Sequence, residues 1–567
     1  MLQNKGVKRG YFTMINDKLS ESTREARVTA PTGTYIGSFD GTVESYLGVR
    51  YAAPVEKFKP PVDVLTTSCD VIDAAKFGPA GLQPYDDAIL PSQGEISSDC
   101  LYLNIWTKDT AATGKPVMLF IHGGGFVSSG GSDAPSNGRN FTADLPCGDD
   151  VVMITISYRL GLPGAIDMSL LDGFSGEYAC CNNLWILDII QSLKWVNENI
   201  SAFGGDPSNV TIFGQSAGGM ACVYLCAIES ARQYFQKAII HSGAPFYGLR
   251  DLAKHKENSQ RVFDILGVSS VAELVSLSDD ELMKDIPNYT YVGADLQPRY
   301  IDGLVIPVTW LDEFKKGAAK DITIMLGVTS GEHDFAAYDR TNADFNVRSA
   351  ADIFADMEDR FAALGNPRYA LSPVGNEAIT EAFMSLAPNS SERAAALSNR
   401  FGHDIGYRYI AEHQSKFNNV YMYRFCWLPD IHAVADGVAR HAAFSAFGRS
   451  PHCADLPVLF DTCETSLPFL AKWWAGQVKS SIKDAYDMLN VPEKLTKQMQ
   501  AAWYAFAKTG NPNNDLIPEW NVYTGEKKNT MMINEKWVQS DDPLKDDFSI
   551  LGAISPADEK QTGVDQH

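Results

Sequence analysis

The chain has 567 residues, 45% of them hydrophobic, and its 48 basic and 70 acidic side chains leave a formal net charge of −22. That acidic excess argues against a nucleic-acid partner, whose phosphates need clustered lysine and arginine, and it disfavours anionic ligands. No run approaches the roughly 20 apolar residues that span a bilayer. Met1 to Val28 is polar and lacks the apolar stretch of a secretory signal. This points to an intracellular protein, or to a secreted one whose signal has been removed. No linker or repeat interrupts the interior, so one large domain over 26–552 is expected between polar tails at 1–25 and 553–567.

In chain order, Val28 to Val49 alternates around Gly33, Gly37 and Gly41, as an antiparallel meander with glycine turns would. Pro116–Ile121 and Val151–Tyr158 are apolar runs suited to buried strands. Leu184–Asn199 has helical spacing with the acid Asp188 inside it. Asn209–Phe213 predicts a strand and Gly218–Ile228 a buried helix. Ala238–His241, Ile322–Gly327 and Val420–Phe425 are further strands, and Leu495–Lys508 is a helix stopped by Gly510 and Pro512. Buried strands alternating with helices imply an α/β fold with a mostly parallel sheet covered on both faces. Helix-rich insertions at 245–320 and 336–415 are expected to shape a pocket.

Between the predicted strand and helix lies Gly214-Gln215-Ser216-Ala217-Gly218, a G-x-S-x-G elbow that lifts a serine hydroxyl above a parallel sheet. A serine is a weak nucleophile at neutral pH and needs a base, an acid to orient that base, and donors for a developing oxyanion. His122-Gly123-Gly124-Gly125-Phe126 follows the strand ending at Ile121, and its bare backbone suits an oxyanion loop. The N–H groups of Gly124, Gly125 and Ala217 are the candidate donors.

Several longer stretches resemble the type-B carboxylesterases: Ser98-Asp99-Cys100-Leu101-Tyr102-Leu103-Asn104, Tyr46-Leu47-Gly48-Val49-Arg50-Tyr51-Ala52, Phe77-Gly78-Pro79-Ala80 and Asn199 to Pro207. The resemblance covers roughly residues 28–550 and implies an α/β-hydrolase fold and ester hydrolysis without metal or organic cofactor. It implies that Glu332, in Gly327-Val328-Thr329-Ser330-Gly331-Glu332, is the acid. It makes His452, in His452-Cys453-Ala454-Asp455-Leu456-Pro457, the base, and it places Ser242 beside the acid. The order Ser216, Glu332, His452 is that of the fold. Asp334 is a rival acid, and His333, His432 and His441 are rival bases; Asp455 reads as a structural partner.

The chain also departs from the family. Gly81 stands where secreted members carry a cysteine bonded to the Cys100 position, and Val268 and Ser276 fall near a second missing bridge. Most of the ten cysteines are therefore expected to be reduced thiols, although Cys69 remains an alternative partner for Cys100. The Gly81–Ser98 loop is short and polar, unlike a lipase lid, and Leu90 replaces the cholinesterase tryptophan. Cys453, Trp185 and Ile189 also depart from usual family residues. The expected activity is serine hydrolysis of small-molecule short- to medium-chain or aryl esters, with oligomeric state open. Amide, carbamate or xenobiotic ester hydrolysis, and a silent adhesion protein of the same fold, are the rival readings. An ordinary histidine base predicts activity falling below pH of roughly 6–7.

Overall fold

The computed structural model describes residues 24–83, 95–145, 149–243, 252–283, 300, 302–307, 309–332, 348–353, 390–399, 403–428, 449–463 and 491–545. The strands of its large sheet are β1 Arg24–Ala30, β2 Gly33–Phe39, β3 Glu44–Arg50, β4 Val71–Asp73, β5 Tyr102–Thr107, β6 Lys115–Ile121, β7 Val152–Ile156, β8 Gly205–Gln215, β9 Lys237–His241, β10 Thr323–Thr329, β11 Val420–Phe425, β12 Thr530–Ile533 and β13 Val538–Ser540. Among the described residues they form one 13-stranded sheet in the order β1-β2-β3-β5-β7-β6-β8-β9-β10-β11-β12-β13, with β4 on β2. The centre, from β7 to β12, is parallel. The β1-β2-β3-β5-β7 edge and the β12-β13 edge are antiparallel.

The period-2 geometry of strands explains why the central runs are apolar without a break. In β6, Val117, Leu119 and Ile121 point into one core, while Met118 and Phe120 point into the other. Helices cover both faces. On the first lie α1 Leu184–Asn199 and α2 Ala217–Ala227, which bring Trp185, Ile189, Leu193, Ala221 and Leu225. On the second lie α4 Asp455–Phe460 and α5 Glu493–Thr509, with Leu459, Phe460, Met499, Trp503 and Phe506. Between them in sequence, α3 Ile405–Gln414 packs Tyr407, Ile410 and Ala411 on the first core.

Every residue of α2 is buried, as expected for a helix apolar all round. Its Cys222 and Cys226 act as small hydrophobes, and burial pushes the Cys226 thiol up to about 12. Trp185 packs on Phe126 at 4.4 Å and on Tyr224 at 6.2 Å, filling space behind the glycine loop. The acid inside α1 has a fully buried partner: Asp188 accepts from Arg159 Nε at 2.8 Å and Nη2 at 2.5 Å. Arg50 forks onto Asp99 with two bonds of 2.8 Å, and Asn104 bridges Gly48 N, Gly131 O and Thr155 Oγ1. The motif residues at 50, 99 and 104 are thus scaffold.

Three expectations need correction. Strand β1 begins at Arg24, inside the stretch read as a 1–25 tail, and residues 1–23 lie outside the described residues. Gly37 is not a turn residue but lies within β2, where a Cβ would meet Ser45 O at 2.3 Å; the turn glycine is Gly41, at φ 100°. The strand before the elbow runs Gly205–Gln215 rather than Asn209–Phe213, because a register shift between Gly205 and Val210 absorbs Asp206, Pro207 and Ser208. In the two insertions the described parts include helices at Leu252–Leu266, Val271–Ser276, Asp279–Met283, Trp310–Lys315, Ser391–Asn399 and α3. Residues 284–299, 333–347 and 354–389, and the tail at 553–567, lie outside the described residues. So do 84–94 of the Gly81–Ser98 loop, Leu90 included.

Candidate active site

Ser216 stands between the end of β8 and the start of α2 with φ 57° and ψ −120°, a left-handed conformation that costs a non-glycine residue about 1–3 kcal/mol. Its N–H donates to His241 O at 2.9 Å, which holds the turn against β9. Gly218 is required at this point, since a Cβ there would lie 1.9 Å from Ile121 O. Ser216 itself is half-buried.

The glycine loop lies directly against this elbow. A Cβ on Gly123 would sit 3.1 Å from Ser216 Cβ and 2.8 Å from Gln215 O. Gly124 and Gly125 follow at φ 88° and 64°. Ala217 is the first residue of α2, where backbone N–H groups have no partner within the helix and the dipole favours negative charge. His122, at the root of the loop, stacks on Tyr158 at 4.3 Å, and the Tyr158 hydroxyl donates to His122 O at 2.8 Å. Burial lowers the His122 imidazole to about 4, so it is neutral and braces the loop.

Glu332 and His452 arrive on two loops joined by main-chain bonds. Gly331 pairs with Pro451 in a parallel bridge, Gly331 N–H donates to Ser450 O at 2.8 Å, and Ser330 N–H donates to Phe425 O at 2.8 Å. The residues just after that bridge are Glu332 and His452. Glu332 Oε1 accepts from Thr329 N–H at 2.6 Å and from Ser242 Oγ at 2.5 Å, while Oε2 takes the His452 Nδ1–H bond. Asp455 is engaged elsewhere: its Oδ2 accepts from His241 Nδ1 at 2.8 Å, and Trp503 Nε1–H donates to His241 Nε2 at 3.0 Å.

The structure therefore brings Glu332, His452 and Ser242 into one hydrogen-bonded cluster, and sets Gly123 against Gln215 and Ser216. His333, Asp334, His432 and His441 lie outside the described residues. Two functional contacts were missed from sequence. Gln215 Nε2–H donates to His452 Nε2 at 3.2 Å, so the hydrogen bond on that nitrogen runs to the residue before Ser216 rather than to Ser216. This bond and the one at Nδ1 select the tautomer with a lone pair on Nε2, the form a general base needs. His403, whose Nε2 lies 3.8 Å from Glu332 Oε2, carries no sequence signal beyond being a histidine.

Burial pushes the Glu332 carboxyl up, but His403 and His452 beside it, with the His452 and Ser242 hydrogen bonds, hold it far below the usual carboxylate range. Burial pulls the His452 imidazole down; Cys453 and Glu332 outweigh this and raise it well above its ordinary value.

Ligand atoms of Glu332, His403 and His452 lie within 4.8 Å of one another, a donor set that suits zinc in kind. Two ligands on one tetrahedral zinc at 2.0–2.1 Å sit about 3.3 Å apart. His452 Nδ1 and Glu332 Oε2 are instead hydrogen-bonded directly to each other.

The family model described as the carboxylesterase family matches residues 24–549. The para-nitrobenzyl esterase of Bacillus subtilis is 30% identical over 532 residues, covering 91% of this chain and 96% of the relative. The phenmedipham hydrolase of Pseudarthrobacter oxydans is 26% identical over 537 residues, covering 90% and 96%. A solved PNB esterase structure, 29% identical, matches with a TM-score of 0.73 over 93% of this chain and 99% of its own. With its α/β-hydrolase architecture and this match over nearly the whole length, the chain belongs to the carboxylesterase family.

Proposed function

We propose that this carboxylic ester hydrolase works through Ser216 as nucleophile, His452 as general base and Glu332 as the acid that orients it. The observation that carries the reading is the joining of Glu332 to His452 at the carboxyl edge of the sheet, next to an elbow serine that faces a glycine loop. On ester binding, His452 Nε2 turns from the Gln215 amide to Ser216 Oγ and takes its proton as the hydroxyl attacks the carbonyl carbon. Glu332 stays ionised and stabilises the imidazolium. The N–H groups of Gly124, Gly125 and Ala217 receive the oxyanion. The tetrahedral intermediate collapses, His452 protonates the departing alcohol, and water activated by the same imidazole releases the acid from Ser216.

The substrate class we propose is small neutral esters of short- to medium-chain or aryl acids and alcohols. Its support is the named activity of the para-nitrobenzyl esterase relative together with the acidic charge of the chain. A cytoplasmic setting belongs to the same proposal, supported by the lack of any disulfide among the described cysteines. No helix among the described residues is long and apolar enough to cross a membrane.

Ser216→Ala tests the nucleophile. It should lower kcat on p-nitrophenyl butyrate by about 10^5-fold or more with circular dichroism unchanged; retained turnover overturns the assignment. A panel of p-nitrophenyl esters of rising acyl length tests the substrate class, with an optimum at short acyl chains expected and one at long chains contradicting it.

A further inference from the structure

The carboxylate of Glu332 faces a second imidazole besides that of His452. His403 is 3% exposed, its ring centroid is 5.9 Å from that of His452, and its Nε2 lies 3.8 Å from Glu332 Oε2. That separation is too long for a hydrogen bond. The hydrogen bond of Nε2 goes instead to the carbonyl of Ser242, at 3.1 Å. Accepting is all a carbonyl can do, so the proton of His403 sits on Nε2. Ser242 is the residue whose Oγ donates to Glu332 Oε1, and it is held at φ 51°, where a serine does not rest by preference. Its own N–H is tied to Gly327 O at 2.7 Å.

We infer that His403 is a positioning residue for the acid: by gripping the Ser242 carbonyl it keeps Ser242 in its strained turn, and through the Ser242 hydroxyl it fixes the Glu332 carboxylate so that Oε2 stays aimed at His452. This inference rests on the reading of Glu332 and His452 as acid and base. The chain of contacts is continuous: His403 Nε2 to Ser242 O, Ser242 Oγ to Glu332 Oε1, and Glu332 Oε2 to His452 Nδ1. Its parts come from separate places in the fold, namely the turn after β9, the loop after β10, the entry to α3 and the loop before α4. Among the described residues the local bond to Glu332 comes from Thr329 N–H, and the Ser242 contact is the lateral support.

The inference also requires His403 to be uncharged, because a second imidazolium at 3.8 Å would compete with His452 for Glu332. Among the described residues the groups facing it include Glu332, His452, its neighbour Asp404 and the Ser242 carbonyl. Burial leads, and with His452 it outweighs the pull of Glu332 and Asp404, lowering the His403 imidazole below its ordinary value. Asp404 is further occupied by an ion pair with Arg424. His403 therefore stays a neutral donor where the enzyme works.

The test compares His403→Ala, His403→Leu and His403→Gln, the last of which keeps a side-chain N–H near the position of Nε2. Steady-state hydrolysis of p-nitrophenyl butyrate is followed against pH, with thermal unfolding as control. His403→Ala is expected to lower kcat by roughly 10- to 100-fold, the scale of a small misplacement of catalytic groups, with KM little changed. Its acid limb should move to lower pH, because a loosened Glu332 raises the imidazole of His452 less. His403→Gln should regain most of the loss. A purely structural role would lower the folded fraction and leave the limb in place. If His403→Ala does not fold, the Gln and Leu variants carry the comparison, and equal kcat and equal limbs in the two overturn the inference. Glu332→Gln separates the levels. If it is inactive while every folded His403 variant matches the parent, only the His403 inference falls; if it is fully active, the acid assignment itself falls.

Discussion

His452 sits where several opposed influences meet, and their balance has a sign that can be measured. Burial disfavours its charged form, while Cys453 and Glu332 favour it more strongly. On the proposed mechanism only the neutral imidazole can accept the Ser216 proton, so a raised value moves the acid limb of kcat/KM upward, above about 6.5, the ordinary histidine value. A pH profile on a neutral ester should show its acid midpoint above that value; a midpoint at or below it would contradict the arrangement. Glu332 adds no limb in this range, since it is held far below the usual carboxylate range and stays ionised. Ser216, Glu332 and His452 were each legible as candidates because they sit in spaced motifs. Gln215 and His403 were not, because a hydrogen bond across 237 residues or an approach across 71 (403 − 332) leaves no trace in local pattern.

Among the elements, the apolar runs identified β6, β7, β9, β10 and β11 to within a few residues, and helical spacing identified α1 to the residue. Two-sided burial writes itself into composition, whereas a bulge does not. Asp206-Pro207-Ser208 has loop chemistry, and only the register shift against β6 shows that β8 carries it. Asp188 was visible as an acid on an apolar helix but without its partner, since Arg159 arrives from beyond β7. The pair is buried on both sides, at 1% and 0% exposure. Asp188→Ala should therefore destabilise the fold by about 3–5 kcal/mol, by leaving an uncompensated guanidinium. Urea denaturation followed by tryptophan fluorescence measures this, and a loss below about 1 kcal/mol would show that the pair behaves as if solvated.

At the scale of the whole molecule, the charge of −22 surrounds a site in which Glu332 is itself held ionised. Such a field repels anionic esters at distances screened only as the Debye length shrinks from about 30 Å at 0.01 M salt to about 8 Å at 0.15 M. Over that range kcat/KM for an ester bearing a free carboxylate should rise, while that for an uncharged ester of similar size stays level. Equal responses would mean that a local basic patch cancels the field at the entrance. The joint between Gly331 and Ser450 has a consequence of another kind. It is built from main-chain atoms, so no substitution at either residue short of proline at Gly331 deletes it, and the alignment of Glu332 with His452 is buffered against point mutation. The same joint counts residues. A single insertion or deletion between Ser330 and Glu332, or between Ser450 and His452, would leave every catalytic side chain in the sequence and break their register. Lineages of this enzyme are thus free to drift in letters at this joint and constrained in length.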